Sequence, residues 1–189
     1  MNRSKKLLDT KWVFKILKDE SEQIRRFKAR LVARGFQQRE ELDYTETFAP
    51  VVRLNSLRVF LAVTAQLDLE LIQFDVKTAF LYGEVTEELY LKILDGLEVN
   101  GDPGALMCRL NKSLYGIKQA ARVWNLKFTS FLQKFNLVPC ESEKCIFIGK
   151  MKNVRVYLAL FVDDGLIACE SRVVLDSIID EQSFRNNFG

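Results

Sequence analysis

The stretch VYLALFVDDGLIA, residues 156–168, runs from an unbroken apolar segment into two adjacent aspartates, Asp163 and Asp164, and back into apolar residues. Apolar runs of this length around a pair of turn-forming acids predict a strand, a tight turn made by the two carboxylates, and a second strand. The hairpin would carry both acids at the tip of a rigid element, where they can share one divalent cation or bind two. Asp75 closes another strand-like run, marked by Leu69, Leu71, Ile72 and Phe74. Three carboxylates delivered by two strand ends suit phosphoryl transfer by two metal ions. The competing reading is ordinary turn chemistry, because Asp tolerates left-handed backbone and caps its own turn.

Composition narrows the alternatives. The 189 residues are 48% hydrophobic and 28% charged, which fits one globular core of ordinary make-up. The basic, polar start at residues 1–6 is followed by no apolar signal core, and no run of about 18 apolar residues occurs, so an intracellular, non-secreted protein with no membrane partner is expected. Cys108, Cys140, Cys145 and Cys169 lack the two-residue spacing of a zinc or redox pair and read as reduced structural thiols. The chain contains no histidine. Ser-His-Asp and Cys-His nucleophile machinery is therefore excluded, and catalysis would have to rest on carboxylates, lysines, tyrosines or metal.

The net charge of +3 hides an asymmetry: residues 1–40 carry twelve Lys and Arg against five Asp and Glu, leaving sixteen against twenty for the rest. In this basic front, Arg25, Arg26, Lys28, Arg30, Arg34 and Arg39 interleave with Phe27, Leu31, Val32 and Phe36, predicting a cationic strand that turns at Gly35 and suits phosphates. Alternation places Lys28 and Arg30 on one face and turns Ala29 inward as the anchor.

One domain without linkers is predicted. Residues 12–17 and 24–32 read as a hairpin closed by the polar turn 18–22. Asn55 or Ser56 would cap a helix bearing Leu57, Phe60, Leu61, Thr64 and Leu67 at helical spacing. Residues 84–91 become extended at their end, and residues 99–104 carry Asn-Gly and Pro-Gly turn signals. Trp124, Phe128, Phe131 and Phe135 form an aromatic stripe along a helix over 120–135, a core face rather than a base-stacking platform. Ser171 would cap a last helix presenting Val174, Leu175, Ile178 and Ile179.

Five strings are more specific: KARLVARGF at 28–36, TFAPVVRL at 47–54, FDVKTAFL at 74–81, KSLYGIKQA at 112–120 and FVDD at 161–164. In this order they resemble the reverse transcriptase of copia-type long-terminal-repeat retrotransposons, over most of the chain. The resemblance implies an α+β polymerase fold of fingers and palm, an antiparallel sheet with packed helices in the split βαβ arrangement of the palm. Residues 1–10 would be a flank and 11–189 the fingers and palm, with the chain stopping before the thumb and ribonuclease H regions.

The same resemblance implies an RNA-directed DNA polymerase that extends a primer on an RNA or DNA template with deoxynucleoside triphosphates. Asp75, Asp163 and Asp164 become the ligands of two Mg2+ ions, with Mn2+ as a substitute and the Val76 carbonyl in reach. Lys28, Arg30 and Arg34 fall where the fingers contact the triphosphate. Tyr115, Gly116 and Lys118 belong to the segment lining the nucleotide and templating base, and Phe80 lies where a bulky side chain excludes a 2′-hydroxyl. A cytoplasmic particle or the nucleus is the implied setting, with association between copies or with the rest of a Pol polyprotein.

Three positions depart from the family pattern: Phe161 replaces a Tyr, Ala121 replaces a Pro before Arg122, and LKILDGLEV at 91–99 lacks a proline before its glycine. A silent relic or domesticated module that binds nucleic acid through the basic front is the alternative.

Overall fold

The computed structural model describes residues 7–94, 96–102, 104 and 106–180, without the side chains of Ile179 and Asp180. Pro103 of the expected Pro-Gly turn and the Ile179 side chain of the last helix lie outside the described residues.

Nine strands and three helices make an α+β fold with antiparallel sheets among the described residues. β1 (Thr10–Lys18) and β2 (Ile24–Ala33) form the expected hairpin ribbon. Its turn is tied by Asp19, whose carboxylate accepts from the Ser21 and Gln23 amides at 2.9 and 3.0 Å. Helix α1 (Leu54–Gln66) starts one residue before Asn55, follows Arg53, and has no side-chain cap, so neither Asn55 nor Ser56 caps it. The Arg53 amide instead donates to the Glu143 carboxylate at 3.3 Å, a partner ninety positions away that no local pattern announces.

The main sheet has the order β3 (Glu70–Asp75), β9 (Asp164–Cys169), β8 (Val154–Phe161), β7 (Ile146–Met151), β6 (Val138–Pro139). Every neighbouring pair is antiparallel, so β3 and β6 at the two edges run in the same direction. Helix α2 (Ala120–Gln133) lies between them in the chain, which makes β3-α2-β6 a βαβ unit split by three strands, as the polymerase palm requires. A small ribbon, β4 (Tyr90–Lys92) with β5 (Met107–Arg109), lies beside the chain start, where Leu8 bridges Leu91 and is buried.

Alternation along the sheet assigns its two faces. Phe74, Leu160, Leu158, Val156 and Ile167 point to one face, where Trp124, Phe128, Phe131 and Leu132 of α2 cover them. Leu175 and Ile178 of α3 (Arg172–Asp180) complete this core, and the Ser171 hydroxyl accepts from the Val174 amide at 3.4 Å, the expected cap. Ala159 and Ala168 face the other way, beneath Phe60 of α1. The aromatic stripe is core, as its spacing indicates: Trp124 and Phe128 are buried with ring centroids 5.2 Å apart. Phe128→Leu is expected to cost about 1–2 kcal/mol, the loss from imperfect refilling of a packed site, read as a lower midpoint in urea.

The four cysteines are free thiols, and burial pushes the Cys145 thiol up to about 12, in keeping with an inert core residue. No described helix is long and apolar enough to cross a membrane.

Candidate active site

The cross-strand register of β3 and β9 sets Asp75 directly opposite Asp164, and that of β8 and β9 sets Phe161 opposite Asp164. Directly opposed residues point to the same side of a sheet, so Asp75 and Asp164 share one face at its end. The two acids do not together form the turn. It consists of Val162 and Asp163, with Asp164 already the first residue of β9. This corrects the expected two-carboxylate turn: the two-residue loop lies one position earlier, because Asp164 is drawn into β9 by pairing with Phe161 and Asp75.

Val162 has φ 57, the left-handed region, where a β-branched residue is an outlier costing on the order of 1–3 kcal/mol. A positive φ at the first loop position is the geometry that type II′ hairpins ordinarily give to glycine. Two bonds from other elements hold the loop. The Trp124 indole N–H donates to the Val162 carbonyl at 2.6 Å, and the Val76 amide donates to the Asp163 carbonyl at 2.9 Å.

Asp75 and Asp163 border a cleft of about 440 Å³ whose other wall includes Lys28, Arg30 and Tyr115, with Val76 at its floor. The cleft thus brings two acids together with four cations, Arg26, Lys28, Arg30 and Lys77, from segments as far apart as β2 and the β8–β9 loop. The Arg30 guanidinium lies over the Tyr115 ring, 5.7 Å from its centroid. Burial pushes the Tyr115 phenol up, Asp163 and Asp75 add to that, and Arg30 opposes it. Burial likewise raises the Asp164 carboxyl, reinforced by Asp163 and Asp75. Asp164 therefore feels the other two acids, although among the described residues no group of three or more acids and cysteines is arranged to hold a metal ion. The three carboxylates offer oxygen donors only, the donor type that a hard divalent cation such as magnesium takes.

The remaining residues singled out from sequence surround the cleft without lining it. Phe80, in the 3-10 turn Ala79–Tyr82, is half-buried in the core and meets Tyr115 edge-on at 5.1 Å. Gly116, at φ 93, packs its backbone against Ala33 and Gly35. Arg34 borders a separate hollow with Lys11, Gly35 and Phe36. Lys118 reaches Tyr44, donating to its hydroxyl at 3.1 Å and sitting 5.0 Å from its ring centroid.

Ala29 is exposed, opposite to the inward anchor expected of it. Register pairs show why: Trp12, Phe14 and Ile16 share a ribbon face with Phe27, Ala29 and Leu31, and no described sheet lies behind that face. It is Lys28 and Arg30 that are half-buried. Lys77 and Thr78 also line the cleft and were not singled out, although their place directly after Asp75 in FDVKTAFL marks them. A buried network was also missed: Gln38 donates to Gln119 at 2.9 Å, and Gln119 donates to the Asp43 carbonyl at 3.0 Å. The Lys118 amide donates back to Gln38 at 2.7 Å, locking the loop after β2 to the start of α2.

A family model described as reverse transcriptase (RNA-dependent DNA polymerase) matches residues 1–187. The chain belongs to the reverse transcriptase family. Its relatives bear out the copia-type resemblance. The retrovirus-related Pol polyprotein from transposon TNT 1-94 of Nicotiana tabacum is 45% identical over 87% of this chain and 12% of its own length. That from transposon RE2 of Arabidopsis thaliana is 35% identical over 95% of this chain and 12% of its own length. The transposon Ty1-ER2 Gag-Pol polyprotein of Saccharomyces cerevisiae is 30% identical over 86% of this chain and 9% of its own. The chain thus spans about an eighth or less of the length of these reverse transcriptase polyproteins. No solved structure gives a significant match. Reverse transcriptases generally use divalent metal ions.

Proposed function

We propose that this chain is the catalytic part of an RNA-directed DNA polymerase, residues 11–189 forming its fingers and palm, which adds deoxynucleotides to a primer 3′-hydroxyl on an RNA or DNA template. The observation that carries the reading is the cleft in which Asp75 and Asp163 face Lys28 and Arg30, with Asp164 opposite Asp75.

Asp75, Asp163 and Asp164, with the Val76 carbonyl, would hold two Mg2+ ions, or Mn2+ in their place. When bound, these ions supply positive charge that favours ionisation of the primer hydroxyl and offsets the charge of the departing pyrophosphate. Lys28 and Arg30 orient the triphosphate, since ammonium and guanidinium donors match phosphate oxygens. Tyr115, held beneath Arg30, supplies a wall against which the nucleotide packs. Gly116 packs against the end of β2, Lys118 bonds to Tyr44 and Arg34 borders a hollow beside Gly116, so their part in nucleotide binding is to place the segment that carries Tyr115. Phe80 props Tyr115 edge-on and sets the space left for the sugar. Phe80→Ala should therefore raise ribonucleotide incorporation relative to deoxynucleotide incorporation. An unchanged ratio in single-nucleotide addition would remove Phe80 from sugar selection.

The decisive assay is primer extension on RNA and DNA templates with magnesium or manganese, comparing the chain with Asp163→Asn. Extension that needs Asp163 supports the polymerase. A second reading rests on the ribbon face where Lys11, Lys15, Arg26, Lys28 and Arg30 lie together, independent of the acids. A silent nucleic-acid-binding module would bind RNA equally well after Asp163→Asn, with steep salt dependence and no extension. An intracellular setting, a cytoplasmic particle or the nucleus, goes with either reading and keeps the cysteines reduced. Association with a second copy or with other parts of a Pol polyprotein belongs to the polymerase reading.

A further inference from the structure

We propose that Trp124 is the positioning residue of the carboxylate turn, its indole N–H holding Val162 in left-handed backbone and so fixing where Asp163 presents its side chain. The inference rests on the polymerase reading for its consequence, although its geometry stands apart from it.

The carbonyls of Val162 and Asp163 belong to the two peptide planes on either side of the Asp163 Cα. Trp124 binds the first at 2.6 Å and the Val76 amide binds the second at 2.9 Å. With both planes fixed, the direction of the Asp163 Cα–Cβ bond is fixed too. The two donors come from different elements: α2 supplies one and the residue after β3 supplies the other.

Trp124 is suited to this task because it cannot follow the turn. Its ring is 1% exposed, 5.2 Å from Phe128 and 6.3 Å from Tyr82 between ring centroids. The residue just before α2, Gln119, is itself held by Gln38 and the Asp43 carbonyl. A rigid donor aimed at a valine with φ 57 accounts for a conformation that this residue type does not choose by itself.

Trp124→Phe keeps a ring in the core and deletes the N–H. In single-nucleotide addition it is expected to lower kcat on the order of 100-fold, as displacement of a reacting group does, with little change in KM for the deoxynucleotide. Adding Val162→Gly, which accepts positive φ freely, should restore most of that loss. A pure packing role predicts no such restoration. Phe131→Leu, a change in the same helix and core, provides a variant of reduced stability that should retain kcat.

Amide hydrogen exchange at Asp163 and Asp164 gives a readout free of activity: faster in Trp124→Phe, slow again in the double variant. Equal kcat in wild type and Trp124→Phe, or no recovery with Val162→Gly in either readout, would overturn the proposal while leaving the polymerase reading intact. If the wild-type chain extends no primer, that reading fails and exchange alone decides the inference. If Trp124→Phe does not fold, the wild-type indole protons decide, because the chain has only two tryptophans. A through-hydrogen-bond scalar coupling from the Trp124 indole nitrogen to the Val162 carbonyl carbon supports the bond, and its absence, with Trp12 as the exposed reference, rejects it.

Discussion

Asp164→Asn is expected to abolish primer extension while making the chain more resistant to heat. Both outcomes come from one cause. Burial and the charges of Asp163 and Asp75 raise the Asp164 carboxyl above the ordinary aspartate range. A carboxyl whose folded pKa is raised binds its proton more firmly in the folded state, so its ionisation costs stability. That cost is absent below the pKa of the unfolded chain, builds as pH rises towards the folded value, and is complete above it. Asparagine keeps the shape and removes the charge, so the gain in Tm over wild type should be present at pH 7 and shrink as acid protonates the wild-type group. Activity should fall on the order of 1000-fold or more, because a fixed charge placed for the transition state is lost. Magnesium should reverse the order of stability, since it stabilises only the form that binds it, by mass action. Equal Tm values at pH 7 without metal, or a magnesium effect undiminished in Asp164→Asn, would show that the three acids do not form one site. An active site holding like charges together without their ion is a place where stability is given up for function.

Local pattern made the scaffold legible. The apolar run around Asp163 and Asp164 specified the hairpin, the spacing of Trp124, Phe128 and Phe131 specified the core side of α2, and the alternation in β2 put Lys28 with Arg30. The family strings added only that Asp75 joins Asp163 and Asp164 at one site; that the strand ending at Asp75 pairs directly with the one starting at Asp164 is seen only in the fold. What stayed hidden depended on partners distant in sequence. Period two says which ribbon residues share a face, but not which face is covered, and Ala29 came out exposed for that reason. Gln38 and Gln119 are 81 positions apart, and Lys118 and Tyr44 are 74 apart; neither pairing has a local signature. The left-handed Val162 contradicts its own residue preference, and the two donors that hold its loop, the Trp124 indole and the Val76 amide, come from distant parts of the chain. Local rules tend to fail where function imposes strain.

Gly116→Ala should damage the fold more than any other single methyl group added near the cleft, for two additive reasons. At φ 93 a side chain is strained wherever it points, at about 1–3 kcal/mol. The new Cβ would also overlap the Ala33 carbonyl and crowd the Val32 side chain, adding about 1–3 kcal/mol for overpacking. The carbonyl is backbone at the end of β2, and the Ala33 amide is bonded to the Tyr115 carbonyl at 2.8 Å, so the clash cannot be relieved by a rotamer change. Gly165 offers the contrast. Its added methyl would also clash, but with the ring of Phe74 rather than with backbone, and its φ is not positive, so only one of the two costs applies. For a chain of this size the Gly116→Ala penalty corresponds to a Tm lower on the order of 10 °C. The consequence reaches the cleft, because the Tyr115–Ala33 bond is also what sets Arg30, three residues earlier on β2, over the Tyr115 ring. KM for the deoxynucleotide should therefore rise even at temperatures where the variant is fully folded. A Tm within about 2 °C of wild type by differential scanning fluorimetry, a shift worth less than about 1 kcal/mol in a chain of this size, would mean that β2 does not dock on the Tyr115–Gly116 turn.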